Sequence, residues 1–258
     1  MKNLSKLSVL ALGILVLLQS CVFKKDIHYL QDLSTQSVFD IFPNNYIIQP
    51  NDILKIEIGA LNPEAVLPFN RFSKINNQNI QNIELMKLEG YLVSANKTIQ
   101  FPVLGEISVS EKSISDLEQV LKNSLEKNGY LINPSVSIRL LNAKFTVLGE
   151  VTNQGTITYT ETNISLLQAL GLAGGLTINA DREDVILIRE TDGKLITTQI
   201  NLLKSEWLDS PYQNIQPNDV LVVNPNTSKV KSAGFVGDLS EILGIASILL
   251  TSIVLIFN

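Results

Sequence analysis

Apolar and polar residues alternate along several short stretches of the chain, and turn-forming residues separate these stretches. In residues 54–58 and 136–140 the apolar side chains take every second position, which is typical of half-buried strands. Residues 185–188 and 220–223 are instead continuous apolar runs, which predict central strands covered on both faces. The pattern therefore predicts a body rich in β-strands.

Two helices are predicted between the strands. Ser115 and Glu118 form a Ser-x-x-Glu capping box, which predicts the start of a helix that ends at residues 128–129, an Asn-Gly pair. Ser165 opens a second, shorter helix, and the glycine pair at residues 174–175 ends it. Because no Gly-Lys-Ser/Thr follows that pair, a phosphate-binding loop is not indicated. Strands with a few helices predict the α+β class.

Two short motifs occur twice. Gln-Pro-Asn-Asp stands at residues 49–52 and 216–219, each time directly before an apolar strand, and Val-Leu-Gly-Glu stands at residues 103–106 and 147–150. Proline fixes φ and asparagine tolerates the left-handed region, so the first motif predicts a tight turn. The glycines of the second motif suit sharp corners between strands. The predicted structural turns are centred on Asn51, Asp52, Gly105, Gly149, Asn218 and Asp219.

The N-terminus has the features of a lipoprotein signal. Lys2 and Lys6 precede an apolar run at residues 9–18, which ends in Leu-Gln-Ser-Cys. A run of this length is well short of the roughly twenty residues that span a bilayer, whereas a basic start, a short apolar stretch and a small residue form a secretory signal. The sole cysteine, Cys21, directly follows the small residue, as in a bacterial lipobox. We therefore expect Cys21 to be acylated.

The C-terminal end predicts a second attachment to the membrane. A helix over residues 235–257 would be about 34 Å long, which is enough to cross a hydrocarbon core. Helical spacing brings four small residues into one narrow stripe, and this stripe suits either close helix packing or the wall of a water-filled pore. A plain one-helix anchor is the alternative. The stripe consists of Ser240, Gly244, Ser247 and Thr251.

Composition excludes several classes of function. The net charge of −5 and the pI near 5.0 argue against nucleic-acid binding, which needs a dense basic surface. A single histidine, His28, and a single cysteine exclude a catalytic triad, a histidine-rich metal site and an intramolecular disulfide. The scattered carboxylates of Glu89, Glu106 and Glu150 do not suggest an acid–base pair. We therefore predict a protein that is not an enzyme and that uses no metal or cofactor.

Several motifs in a fixed order carry a family resemblance. A tyrosine, alternating apolar residues and a Pro-Asn-Asp turn at residues 46–54 precede Gly-Tyr-Leu-Val at 90–93 and Asn-Pro-Ser-Val at 133–136. Val-Leu-Gly-Glu-Val at 147–151 and the second turn with its strand at 216–225 follow. The order resembles the polysaccharide biosynthesis/export family of Wza-like outer-membrane lipoproteins. The part after residue 142 resembles its SLBB module, a β-grasp domain, of which only one copy is present.

The resemblance implies a ring-shaped homo-oligomer that passes a capsular polysaccharide or exopolysaccharide through the outer membrane, with its body in the periplasm. It also implies contact with the periplasmic part of an inner-membrane polysaccharide co-polymerase or tyrosine kinase. The alternative is a monomeric periplasmic glycan-binding lipoprotein with a C-terminal anchor. The implied segments are a signal peptide (1–20), a lipid-anchored tether (21–44), an export domain (45–141), an SLBB-like β-grasp domain (142–227) and a transmembrane helix (235–257).

Overall fold

The computed structural model describes residues 28–33, 36–41, 46–71, 83–191, 193–232, 243–244, 246–248 and 251. The predicted signal peptide and Cys21 lie outside these ranges, as does most of the predicted helix over residues 235–257. Among the residues described, no helix combines the length and the apolar character needed to cross a membrane.

Within the described ranges, the chain is mixed α and β, with many strands and few helices, and its buried apolar residues form two hydrophobic cores. The first domain contains β1 (Ile53–Gly59), α1 (Ile83–Glu89), β2 (Tyr91–Leu92), β3 (Thr98–Phe101), β4 (Gly105–Ser108), α2 (Ile114–Lys127) and β5 (Ser135–Leu140). The second contains β6 (Lys144–Gly149), β7 (Gly155–Thr158), β8 (Ile164–Ser165), α3 (Leu166–Leu172), β9 (Ala180–Thr191), β10 (Lys194–Ile200), β11 (Asn214–Ile215), β12 (Val220–Pro225) and α4 (Thr227–Ser232).

In the first domain, β1 is the central strand of a sheet in the order β2-β1-β5, and both pairings are antiparallel. The predicted alternation in β1 and β5 is confirmed, since Leu54, Ile56 and Ile58 are buried on one face of β1. Helix α2 contributes a fully buried leucine stripe to the same core. Its members are Leu117, Leu121 and Leu125.

The predicted capping box of α2 was two residues too late. Ser113, not Ser115, caps the helix: its Oγ accepts from the Asp116 amide at 3.2 Å, and Asp116 Oδ2 accepts from the Ser113 amide at 3.0 Å. Ser113 is held extended by a β-bridge to Ile47, so the helix begins directly after it. Glu118 is used elsewhere, since its Oε1 accepts a 2.8 Å hydrogen bond from the Ile138 amide of β5.

The second domain is a five-stranded sheet in the order β10-β9-β12-β6-β7, with β12 and β6 parallel. The two continuous apolar runs lie in β9 and β12, which are internal strands as predicted. The prediction that both faces are covered was wrong. Val185 and Leu187 on one face of β9 are buried, whereas Ile186 and Ile188 on the other face are only half-buried. The predicted start of α3 at Ser165 is confirmed, and the structure shows that Ser165 and Gln168 form a capping box there.

Strand directions show which end of each domain lies at the connection between them. The two domains meet where β5 ends and β6 begins, at residues 141–143, which we call the junction. Strands β6 and β12 start at the junction and run away from it, so Pro225 and its neighbour Ala180 lie at the far end of the second domain. In the first domain β1 also starts at the junction and runs away from it, and Gly59 pairs with Ser135 at the end of that domain opposite the junction.

The described part of the predicted tether is bonded to the second domain. Near the far end of that domain, the Leu30 amide donates to the Leu202 carbonyl at 3.0 Å. Asp32 Oδ2 accepts from the amide and the hydroxyl of Ser205, both at 3.0 Å. Towards the junction, the Gln213 side chain donates to the Asp40 carbonyl at 3.3 Å. We call the described residues 28–33 and 36–41 the strap, because they are hydrogen-bonded to the second domain at both of these ends.

Candidate functional site at the domain junction

Both Gln-Pro-Asn-Asp motifs form the same turn. Asn51 and Asn218 have φ of +71° and +68°, and each follows a proline. In each turn the aspartate amide donates to the glutamine carbonyl three residues earlier, at 3.2 Å. Proline at the second position and positive φ at the third define a type II turn. Asparagine suits the third position because it enters the left-handed region at low cost.

Each turn is closed by a buried aspartate. Asp52 and Asp219 have exposed fractions of only 3 % and 1 %. Asp52 Oδ2 accepts from the Gln49 amide at 2.9 Å, and Asp219 Oδ2 accepts from the Gln216 amide at 2.8 Å. A buried carboxylate is costly unless hydrogen bonds or an opposite charge compensate it, so each aspartate needs a further partner.

These further partners differ between the two turns. The Tyr46 hydroxyl lies 2.8 and 3.0 Å from the two carboxylate oxygens of Asp52. Asp219 is instead paired with Arg189, whose Nε and Nη2 donate at 3.0 and 2.7 Å. Arg189 Nη2 also donates to the Asn214 carbonyl at 2.8 Å. One turn is therefore held by a neutral phenol and the other by a buried ion pair.

The connection between the domains holds both turns together. The Asn142 side chain donates to the Asn51 carbonyl and accepts from the Ile53 amide, both at 2.9 Å. Two residues later, the Lys144 carbonyl accepts from the Asn218 amide at 2.7 Å. Both turns are therefore bonded to the same short segment, which fixes the orientation of one domain against the other.

Burial dominates the electrostatics of the junction. It raises the pKa of Asp52 from 3.8 to about 6, against the hydrogen bonds from Gln49 and Tyr46. Burial also raises the pKa of Asp219, while Arg189 opposes that rise. The pKa of Tyr159 is raised for the same reason, and the nearby Asp219 adds to the effect. The buried Tyr159 hydroxyl has no hydrogen-bond partner within the described ranges.

Two clefts flank the junction, and Tyr46 and Pro217 line both of them. The smaller has a volume of about 380 Å³ and lies between the start of α2 and the loop after β7. The larger has a volume of about 720 Å³ and is formed by the two turns and the β9–β10 hairpin. Both volumes fall in the range of about 300–1,000 Å³ that is usual for small-molecule sites.

Of the six residues predicted to form turns, four lie at the junction and two lie elsewhere. Gly105 and Gly149 start or end strands and have φ of +75° and +90°. A methyl group on Gly149 would overlap the Val223 carbonyl oxygen of β12, whereas nothing lies within 4 Å of such a group on Gly105. Gly149 is therefore required both by its φ and by the close approach of a neighbouring strand.

The small-residue stripe of the C-terminal segment is described in part. Gly244, Ser247 and Thr251 are helical, while Ser240, like Cys21, lies outside the described residues. Ser247 Oγ donates to the Gly244 carbonyl at 2.8 Å, and Thr251 Oγ1 donates to the Ser247 carbonyl at 2.7 Å. Both hydroxyls are thus satisfied by the backbone of their own segment.

Sequence reasoning missed three residues of the junction. Arg189 carried a signal, since it is the charge that ends the apolar run of β9, but nothing in the sequence pointed to its partner. Tyr159 and Asn142 carried no such signal. Asn142 contacts residues about ninety positions earlier in the chain, and this proximity depends on the pairing of β1 with β5.

We expect Asn51→Val and Asn218→Val each to lower the free energy of unfolding by about 1–3 kcal/mol, because a β-branched residue is strained at positive φ. Thermal unfolding of the full-length protein measures the effect. Asn51→Gly and Asn218→Gly are the controls, since glycine adopts this φ without strain and should leave the midpoint nearly unchanged. Equal midpoints for the valine and glycine variants would contradict the turn assignment.

We expect Asp52 to make the stability depend on pH. Its pKa is about 6 in the folded protein and 3.8 ordinarily, so its contribution is fully present below about pH 4 and is lost as the pH rises through 6. The loss amounts to about 3 kcal/mol. Asp52→Asn should remove this pH dependence, because an amide does not titrate in this range. The variant should keep the turn, because its amide can accept from Gln49 and donate to Tyr46. Urea unfolding between about pH 4 and pH 7.5 measures both proteins; parallel stability curves would contradict the expectation.

Comparisons with known proteins cover both domains. The family described as polysaccharide biosynthesis/export protein matches residues 42–141, and the SLBB domain matches residues 144–199. EPS I polysaccharide export outer membrane protein EpsA of Ralstonia solanacearum is 29 % identical over 204 residues, which are 77 % of this chain and 53 % of that protein. Capsule polysaccharide export outer membrane protein CtrA of Neisseria meningitidis serogroup A is 29 % identical over 195 residues, which are 74 % of this chain and 47 % of that protein.

The chain spans about half the length of the curated relatives that it matches. The two matched regions meet at residues 141–144, which coincide with the junction seen in the structure. The matched regions follow the order that the sequence motifs predicted, with the export domain before the SLBB domain. Residues 42–141 match the polysaccharide biosynthesis/export family, and the SLBB domain follows directly at residues 144–199.

Proposed function

We propose that the chain is a lipid-anchored subunit of an oligomeric channel that exports a capsular polysaccharide or exopolysaccharide across the outer membrane. The observation that carries the proposal is the match of the first domain to the polysaccharide biosynthesis/export family and of the second to the SLBB domain, together with relatives that are named as outer-membrane polysaccharide export proteins. The partners are further copies of the chain, the polysaccharide in transit and an inner-membrane co-polymerase or tyrosine kinase. Transport of this kind needs no catalytic residue.

The strap supports an arrangement in which the second domain lies next to the membrane. His28 lies seven positions after Cys21, so an acyl group on Cys21 lies within about 25 Å of the start of the strap. The strap begins at the far end of the second domain, where Leu30 and Asp32 are bonded. The short helix α4 follows β12 at that same end. Both proposed membrane attachments therefore leave the body from one end, and the export domain extends away from the bilayer.

Contacts around Arg182 connect the two places where the proposed membrane attachments leave the second domain. Arg182 Nη2 donates to the Thr177 carbonyl at 3.3 Å, and its guanidinium lies 5.8 Å from the centre of the Tyr29 ring. Asn226, directly before α4, donates through its backbone amide to the Asn179 carbonyl at 2.7 Å. Arg182 thus connects the beginning of the strap to the loop before β9, and the residue before α4 is hydrogen-bonded to the same loop.

Two changes test the proposal in cells. Cys21→Ala should abolish fatty-acid labelling and leave a precursor of larger mass. Deletion of residues 235–258 should leave a folded, acylated protein that exports no surface polysaccharide. If surface polysaccharide persists without these residues, the channel is excluded. A closed ring in detergent supports the channel, whereas a monomer supports the alternative, a glycan-binding lipoprotein.

A pair of charged substitutions tests the C-terminal helix. An aspartate at its centre costs about 2.5–3.5 kcal/mol or more if it faces lipid and much less if it faces water. By helical spacing Ser247 and Leu249 lie about 200° apart. Ser247→Asp should therefore preserve membrane integration and ring formation if the small-residue stripe lines a pore, and Leu249→Asp should not. Loss of integration in both variants would indicate a plain anchor.

A further inference from the structure

The larger cleft at the junction, of about 720 Å³, is built from rigid parts. We call it the turn cleft, because residues of both type II turns line it. Both turns are fixed by buried aspartates and by hydrogen bonds to the segment between the domains, at Asn142 and Lys144. The cleft therefore exists before any ligand arrives, and binding needs little reorganisation of the backbone.

The chemistry of the turn cleft is polar but close to neutral. The charges at its base are compensated within the protein, since Arg189 pairs with Asp219 and the hydroxyl of Tyr46 is bonded to Asp52. The rim carries the exposed side chains of Asn51 and Asn218. One exposed cation and one exposed anion, those of Lys144 and Glu190, also line it and balance each other. A polyanion would gain little from such a surface.

Neutral amides favour a ligand rich in hydroxyl groups. Each asparagine side chain offers two donors and an acceptor, and a hydroxyl group both donates and accepts. Tyr212 adds a ring surface to the cleft, and the guanidinium of Arg189 lies 5.7 Å from the centre of that ring and fixes its position. An aromatic surface beside convergent amides binds the apolar and the hydroxylated sides of one ligand together.

We propose that the turn cleft binds a short segment of an uncharged or weakly charged glycan, with Asn51 and Asn218 as its hydrogen-bonding residues. The identity of that glycan rests on the proposed function: it is the polysaccharide that the channel passes. The site lies on the body of each subunit, between its two domains, so every copy in an assembly would carry one. It would hold the chain weakly and locally during transit.

Saturation-transfer NMR on the detergent-solubilised full-length protein tests the proposal. The probes are oligosaccharides released by mild acid from the surface polysaccharide of the same cells. The double variant Asn51→Gly/Asn218→Gly removes both amides and keeps both turns, because glycine adopts the same φ. We expect the wild type to show saturation transfer and the double variant to bind at least about tenfold more weakly at an unchanged melting temperature.

Asn133→Gly is the matched control. Asn133 is also an exposed asparagine at positive φ, but it lies at the end of the export domain opposite the junction and lines neither cleft. Its variant should bind as the wild type does. Equal binding by the double variant and the wild type, or a loss caused by Asn133→Gly, would overturn the assignment.

The outcome can be separated from that of the proposed function. If the wild type binds none of the oligosaccharides while deletion of residues 235–258 still abolishes surface polysaccharide, the cleft assignment fails and the channel stands. If binding depends on the two amides but the deletion has no effect on surface polysaccharide, the cleft stands and the channel fails. A benzophenone side chain in place of Thr191, on the cleft rim, distinguishes the occupant in cells: cross-links to protein rather than glycan overturn the assignment.

Discussion

Arg189→Met is expected to lower the free energy of unfolding by about 3–5 kcal/mol, because it leaves the carboxylate of Asp219 buried without its opposite charge. Three donor contacts to Asp219 disappear together with the bond to the Asn214 carbonyl. Methionine fills most of the vacated volume, so the loss reports the charge rather than a cavity. Urea unfolding measures the change through the fluorescence of Trp207. This residue is the sole tryptophan and is buried in the core of the second domain.

The ion pair is isolated by a double-mutant cycle. Asp219→Asn alone leaves Arg189 without its carboxylate and should also destabilise the protein. The double variant Arg189→Met/Asp219→Asn removes both charges, so its loss should be clearly smaller than the sum of the two single losses. A strictly additive cycle would mean that the two side chains do not depend on each other, in conflict with the distances between them.

Gly149→Ala is expected to cost about 3–6 kcal/mol, the combined effect of strain at positive φ and of overlap with the backbone of β12. The neighbour is the Val223 carbonyl, which is held within the sheet and cannot rotate away as a side chain could. Gly105→Ala is the matched comparison, because it has positive φ but an empty surrounding, and should cost only about 1–3 kcal/mol.

Circular dichroism during urea unfolding compares the two glycine variants, since it reports both domains. The two motifs share the letters Val-Leu-Gly-Glu, so the sequence offers no reason to rank them. An equal cost at both glycines would show that β6 and β12 separate to make room, and that the close approach at Gly149 is not a rigid constraint.

Local patterns in the sequence predicted the elements whose causes are local. The alternation of β1 and β5, the apolar runs of β9 and β12 and the start of α3 at Ser165 are each set by a few neighbouring residues. The cap of α2 shows the limit. Ser-x-x-Asp at residues 113–116 and Ser-x-x-Glu at 115–118 are both acceptable boxes, and the choice between them depends on the bridge to Ile47, more than sixty residues earlier.

The candidate site depends on contacts between distant residues, and these could not be predicted. The turns themselves were predicted from Pro-Asn-Asp, yet their convergence on residues 142–144 follows from the pairing of whole strands. The half-buried second face of β9 has a similar origin. An apolar run shows that a strand is internal, but whether its outer face is fully covered depends on elements elsewhere in the chain.

The strap has a consequence for the order of folding. Asp32 and Ser205 are 173 residues apart in the chain, and so are Asp40 and Gln213. Contacts of such long range form late, because the chain between them must first become compact. During export the N-terminal residues emerge first and find no partner until nearly all of the second domain has followed. The proposed acyl anchor would therefore be placed in the membrane while still loosely connected, and its position against the body would be fixed only in the last step of folding.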